Sequence, residues 1–78
     1  MTTRTISAVA REIRAEWPKV YFGAEPYLAA MSRLQGPDDM YMYDDARSVV
    51  RYFLANARGF KGERAKALKA ELKTIIGD

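Results

Sequence analysis

The chain has 78 residues, of which 49% are hydrophobic and 12% aromatic, and it carries 13 basic and 10 acidic side chains. A chain of this length supports one modest core, so residues 1–78 are expected to form a single domain. Cysteine and histidine are both absent, which excludes disulfides, thiolate chemistry and cysteine-based zinc sites and removes the commonest general base near neutral pH.

The charge is distributed unevenly along the chain. Residues 20–45 hold one basic and five acidic side chains, whereas residues 46–78 hold eight basic and three acidic ones. The basic second half favours contact with nucleic acid or an acidic protein, and the acidic middle favours contact with another copy. No apolar run approaches the roughly 18 residues that a membrane span requires, and no signal peptide is recognisable, so a cytoplasmic protein is expected.

Hydrophobic periodicity predicts a first helix between Thr5 and Pro18. Thr5 is suited to the N-cap, because its hydroxyl can accept a hydrogen bond from a free backbone amide. Pro18 disfavours the helical conformation of Trp17 and so ends the helix. The apolar side chains recur on a single helical face; they are Ile6, Val9, Ala10, Ile13 and Trp17.

A short link, residues 19–23, leads to a second helix predicted over residues 24–34. The link contains Tyr21 and Phe22, which are expected to plug the core rather than to face a partner. Pro26 lies in the first turn of the helix, where its missing amide donor costs nothing. Gln35, Gly36 and Pro37 follow as a stop signal.

Two further helices are predicted in the second half of the chain. Residues 38–43 are expected to form a loop, and the third helix to run from Asp44 to Arg58 with Gly59 as its cap. The fourth helix is expected over residues 63–76, with Gly77 ending it. The short link between these helices predicts a C-terminal helical hairpin. No strand is predicted, so the fold class is all-α, a single small domain of about four helices.

A methionine–tyrosine segment provides the candidate protein-binding residues. Met40, Tyr41, Met42 and Tyr43 alternate flexible apolar and aromatic side chains, which are types enriched at protein interfaces. The alternative is that alternate members are buried in the core. Tyr52 lies off the main apolar arc of the third helix and is the best candidate for an exposed anchor. The candidate protein-binding set is therefore Tyr41, Met42, Tyr43 and Tyr52.

Two basic stripes provide a second candidate surface, for nucleic acid or an acidic partner. Helical spacing places the arginines beside the apolar arc of the third helix and the lysines in a similar stripe on the fourth. The residues are Arg47, Arg51, Arg58, Lys66, Lys69 and Lys73. If the helical hairpin brings the stripes together, they form one face that can follow phosphates. The alternative is that the long basic side chains border the core with their aliphatic stems.

No catalytic, metal or cofactor site can be assembled from the sequence. Asp38, Asp39, Asp44 and Asp45 lack the spacing, central glycine and terminal glutamate of a calcium loop. Helix capping accounts for Asp44 and Asp45, and turn formation for Asp38. No nucleophile–base pair or phosphate loop is present, so the chain is expected to be neither an enzyme nor a binder of small-molecule substrates.

Residues 19–24, 26–28, 48–57 and 69–73, together with Gly62, form a recognisable set of segments. In these segments the chain resembles a family of small proteins encoded by actinobacteria and their phages, mycobacteriophages among them. The resemblance implies an accessory protein that acts inside the bacterial host, and it transfers no functional residue. We therefore expect a non-catalytic binding protein that contacts a host protein or forms a homo-oligomer, with nucleic-acid binding as the alternative.

Overall fold

Four helices and one short hairpin of strands make up residues 4–78, the part of the chain that the computed structural model describes. In chain order the elements are α1 (Ile6–Glu16), α2 (Glu25–Met31), β1 (Met40–Tyr41), β2 (Asp44–Asp45), α3 (Ala46–Ala55) and α4 (Glu63–Ile76). The mainly helical class is as predicted, but the expectation of no strands is wrong. The first three residues of the predicted domain lie outside the described part.

Helix α1 begins and ends where the sequence predicts. The Thr5 hydroxyl accepts a hydrogen bond from the Ala8 amide at 3.1 Å. At the other end the Trp17 amide donates to the Ile13 carbonyl at 2.8 Å, and Pro18 follows. Both ends of the helix are therefore fixed by residues within four positions of them.

Helix α2 is shorter than predicted, since it starts at Glu25 and ends at Met31 rather than at Leu34. The chain tightens after Met31, because the Leu34 amide donates to the Met31 carbonyl three residues back. Such bonds typically close the last turn of a helix. Leu34 nevertheless remains fully buried, so the apolar pattern extends beyond the regular helix.

Helix α3 is also shorter than predicted at both ends. It begins at Ala46 with Asp45 as the N-cap, and it ends at Ala55 rather than at Arg58. The Tyr52 carbonyl accepts from the Asn56 backbone amide at 3.2 Å and from the Asn56 side-chain amide at 2.9 Å, so Asn56 closes the last turn of the helix. Gly59, predicted as the cap, lies three residues beyond the C-cap in the α3–α4 loop.

Helix α4 matches its predicted range, and Gly77 ends it with a left-handed φ of +82°. Its C-terminal end lies beside the start of α3, because the Arg47 guanidinium donates to the Ile76 carbonyl at 3.3 Å. The two helices are therefore antiparallel neighbours, as their short link predicts. Near its middle α4 is tied to the chain before α1, since Arg4 donates to both carboxylate oxygens of Glu71 at 2.6 and 2.7 Å.

One apolar core lies inside a ring of helices. Helix α1 contacts α2 and α4, and α3 contacts the same two helices. At one end of the core the Trp17 ring stacks on the Phe60 ring, with centroids 5.2 Å apart, and meets the edge of the Phe53 ring at 6.3 Å. These contacts hold the α1–α2 loop against the α3–α4 loop. None of the helices in residues 4–78 is both long and apolar enough to cross a membrane.

Candidate functional site

The methionine–tyrosine segment forms a β-hairpin that directs most of its large side chains into solvent. Met40 pairs with Asp45 and Tyr41 with Asp44, which leaves Met42 and Tyr43 as a two-residue turn. Met40 is 60% exposed, Met42 80% and Tyr43 98%. Only Tyr41 packs against the core, so the alternating burial considered from the sequence is absent from this segment.

The turn places a side-chain-bearing residue in a backbone conformation that favours glycine. Met42 has φ +57° and is the one non-glycine residue with positive φ in the described part of the chain. A positive φ at the first turn residue alone is typical of a type II′ turn, in which glycine is preferred there. Backbone strain of this kind is often retained where a residue has a functional role.

Backbone and carboxylate hydrogen bonds attach the hairpin to α3 and to the loop that precedes the hairpin. The Asp39 carbonyl accepts from the Ala46 amide at 2.8 Å, and the Asp39 carboxylate accepts from the Gln35 amide at 2.7 Å. Asp45 accepts from the Ser48 amide at 2.7 Å as the N-cap of α3. That hydrogen bond lowers the pKa of Asp45, so the hairpin is followed directly by a stable helix start.

The four aspartates around the hairpin are held apart by different local roles. Asp38 contacts the Arg47 guanidinium at 3.2 Å, whereas Asp39 and Asp45 accept from backbone amides. Asp44 lies in β2 and is exposed. No group of three acidic side chains suited to a metal ion occurs within residues 4–78. The aspartates therefore give the hairpin a negative border rather than a set of converging ligands.

Tyr52, the remaining candidate protein-binding residue, belongs to a different part of the surface. Its side chain is 52% exposed, and its ring lies 5.6 Å from the ring of Tyr27 on α2. It follows Asp45 by seven residues along α3, a helical rise of about 10 Å. Tyr52 thus lies toward the end of α3 opposite the hairpin.

The first two residues of the predicted arginine stripe are occupied by contacts within the protein. Arg47 donates to the Pro37 and Ile76 carbonyls and pairs with Asp38. Arg51 forms two 2.9 Å hydrogen bonds to the carboxylate of Asp78, which lower the pKa of Asp78 and raise that of Arg51. These arginines therefore hold the end of α4 against α3.

The other four basic candidates are distributed from the α3–α4 loop along α4. Arg58 lies in the loop rather than on α3, and Lys66 and Lys73 are exposed on α4. Lys69 donates to the Phe60 carbonyl at 2.7 Å. Burial lowers the pKa of Lys69, and the charges of Lys73 and Lys61 add to the effect.

The sequence interpretation missed the exposure of the α1–α2 loop. Tyr21 is 48% and Phe22 81% exposed, so the prediction that they plug the core is wrong. Only Val20 of this link packs against the core. A signal was available, because Pro18 and Gly23 bracket a link too short to turn all three apolar side chains inward.

An open hollow lies beside Tyr21, where the two loops meet. Its volume is about 420 Å³, and its lining residues are Tyr21, Ala55, Asn56, Arg58 and Gly59. A β-carbon built on Gly23 would lie 2.6 Å from the Tyr21 ring and 3.1 Å from the Asn56 side-chain oxygen. Glycine at this position therefore allows the Tyr21 ring and the Asn56 side chain to lie close to the backbone of the α1–α2 loop.

Comparison with known proteins found no matching family model and no significantly similar curated protein or solved structure.

Proposed function

We propose that this protein is a non-catalytic binding protein that contacts another protein through its β-hairpin, residues 40–45. The observation that carries the proposal is the exposure of Met40, Met42 and Tyr43 on a turn that positive φ strains at Met42. Exposed apolar and aromatic side chains gain free energy when a partner buries them. Tyrosine and methionine also adapt their shape to a partner at little cost.

The hairpin has the composition of a small interface. Its projecting side chains are apolar or amphipathic, and exposed Asp38 and Asp44 border them. An apolar centre with a charged rim is the usual anatomy of a protein interface. The negative rim favours a partner whose facing surface is basic, because like charges across an interface cost several kcal/mol.

The partner is proposed to be a protein of an actinobacterial host, or a second copy of this chain, in line with the family resemblance. The hairpin requires no cofactor for this role. Because the strands are tied to α3 through Asp45 and to the preceding loop through Asp39, the surface is ordered before binding. A preformed surface avoids part of the entropy cost that a disordered segment pays on association.

The test is affinity capture from an actinobacterial lysate with the wild-type protein and the double variant Met42→Ser/Tyr43→Ser. Ala67→Ser is the matched control, since Ala67 is exposed on α4, away from the hairpin. The proposal expects proteins that bind the wild type and the control but are lost with the double variant. Light scattering at two concentrations identifies the case in which the partner is a second copy. Equal capture by all three proteins, or no capture and a strictly monomeric mass, contradicts the proposal.

A further inference from the structure

The end of the molecule opposite the hairpin combines positive charge with exposed aromatic rings. There the α1–α2 loop, residues 17–24, contacts the α3–α4 loop, residues 56–62, through the Trp17–Phe60 stack. We call this region the basic end. Exposed or partly exposed cations come from both loops and from the first two turns of α4. Five of them form no ion pair in the described part of the chain and are counted here as the cations of the basic end: Lys19, Arg58, Lys61, Lys66 and Lys69. Arg64, in the first turn of α4, pairs with Glu12 instead.

The charges of the basic end are largely free to meet a ligand. Within residues 4–78 the ion pairs involve arginines 4, 14, 47, 51 and 64, and none of the five cations of the basic end. Lys69 alone among them donates to a backbone carbonyl, that of Phe60. Cations without a carboxylate partner retain their charge for a polyanion, because no internal contact has to break first.

Two hollows are lined by successive residues of the α3–α4 loop, and we call this succession the path. The first, beside Tyr21, has Arg58 and Gly59 in its wall. The second is about 410 Å³ and follows at the next residue of the loop; its lining residues are Phe60, Lys61, Gly62, Glu63, Lys66 and Lys69. The Tyr21 ring therefore lies at one end of the path, and three lysines lie at the other beside Phe60 and the single carboxylate of Glu63.

The aromatic part of the path has the properties of a stacking surface. The rings of Tyr21 and Phe22 lie 4.7 Å apart and tilted by 54°, and Phe22 is among the most exposed apolar side chains in the described chain. A nucleobase presents a flat face that can stack on such a ring regardless of sequence. In a duplex those faces are covered by neighbouring base pairs, so exposed rings select unpaired bases.

We infer that the basic end binds single-stranded nucleic acid, with an unpaired base on Tyr21 or Phe22 and the following phosphates along Arg58, Lys61 and Lys66. This surface is separate from the hairpin and goes beyond the protein-binding function proposed for it. It also differs from a stripe along α3, since Arg47 and Arg51 pair with Asp38 and Asp78.

The experiment measures fluorescence anisotropy of a labelled 12-nucleotide oligothymidylate with the full chain at about 50 and 200 mM salt. With three or four phosphates neutralised, the affinity is expected to fall about 20- to 50-fold between these two salt concentrations. A double-stranded DNA of equal length is expected to bind at least about fivefold more weakly at each salt concentration, because it offers no unpaired base to the rings of Tyr21 and Phe22.

Two variants separate stacking from charge. Phe22→Ala is expected to weaken binding about tenfold with the same salt dependence, because a base contact is lost and no phosphate contact. Arg58→Gln/Lys61→Gln is expected to reduce the salt dependence, lowering the magnitude of its log–log slope by about 1.4. The matched control Arg11→Gln/Arg33→Gln removes two exposed charges elsewhere and is expected to leave affinity within about twofold of the wild type.

Several results overturn the inference. These are no anisotropy change at the lower salt concentration, duplex binding as strong as single-strand binding, an unaltered affinity of Phe22→Ala, or an equal loss in the control variant. Self-association that disappears in Arg58→Gln/Lys61→Gln without oligothymidylate binding assigns the basic end to a second copy instead. Because Phe22, Arg58 and Lys61 are exposed, the variants are expected to keep the wild-type circular dichroism spectrum. Hairpin variants provide an independent check, since they do not alter this surface.

Discussion

Substituting Met42 by glycine is expected to make the protein more stable. Met42 is the first residue of the hairpin turn and has φ +57°. Glycine adopts this conformation without the contact between a β-carbon and the backbone that penalises other residues. The side chain that is removed is 80% exposed, so the substitution gives up little buried apolar area.

The size of the effect follows from two opposing contributions. The left-handed conformation costs an L-residue about 1–2 kcal/mol relative to glycine. Glycine, in turn, loses about 0.4–1 kcal/mol more conformational free energy on folding. The difference spans about 0–1.6 kcal/mol, and its centre predicts a gain of about 0.8 kcal/mol in the free energy of unfolding. For a domain of this size, a gain of about 0.8 kcal/mol raises Tm by about 3–6 °C.

Thermal and urea unfolding, followed by far-ultraviolet circular dichroism, measure the change. Met42→Ala is the matched control. It removes all side-chain atoms beyond the β-carbon, as Met42→Gly does, but it keeps the β-carbon that causes the strain. The control is expected to stay within about 0.5 kcal/mol of the wild type. If Met42→Gly is no more stable than Met42→Ala, the turn is not strained, and the proposed function loses the observation that distinguishes Met42 from an ordinary exposed methionine.

Three further predictions concern the helices. Phe53→Ala is expected to lower the free energy of unfolding by about 3–5 kcal/mol, since Phe53 is fully buried. Urea unfolding should show a much lower midpoint for this variant. Asp45→Ala is expected to lower the free energy of unfolding by about 1 kcal/mol, because α3 loses its N-cap. Asp45→Asn is expected to lower it less, because the asparagine side chain still accepts a hydrogen bond. Thermal unfolding measures both changes. The Arg4 guanidinium lowers the pKa of Glu71 in the folded protein, so stability from this pair is present above pH 4.5 and is lost as the pH falls below it. Tm measured at several pH values should show a flatter acid branch for Glu71→Gln.

The elements that local signals define were predicted well from the sequence. Helix α1 is bounded by Thr5 and Pro18, and α4 by its short preceding loop and Gly77, each acting on residues within one helical turn. The predicted end of α3 was wrong because the apolar pattern continues beyond the helix. Ala57 and Phe60 belong to the α3–α4 loop, and their side chains are nevertheless buried in the core. Hydrophobic periodicity indicates which side chains are buried. In this loop the side chains are buried although the backbone is no longer helical, so the periodicity does not show where α3 ends.

The hairpin was missed because its residues lack the polar–apolar alternation of a strand. A half-buried strand alternates polar and apolar side chains, whereas Met40 to Tyr43 are all large and apolar or amphipathic. The turn also lacks the glycine that marks a two-residue connection. The binding candidates depend on contacts that are distant in sequence, such as Arg51 with Asp78, and neither spacing nor helical periodicity predicts which cations such contacts occupy.

The two proposed surfaces lie at opposite ends of α3, and this separation has a physical consequence. The hairpin directly precedes the helix and the α3–α4 loop directly follows it, so about 15 Å of helix lies between them. At physiological ionic strength this distance exceeds the screening length of about 8 Å. Charge on one surface therefore affects the other only weakly. Oligothymidylate bound at the basic end is expected to leave the capture of a protein through Met42 and Tyr43 unchanged.

A second copy that docked its acidic hairpin on the basic end would behave differently, since it would occupy both surfaces and compete with both ligands. Whether oligothymidylate and the captured protein bind together or displace each other thus distinguishes two independent sites from one self-association contact.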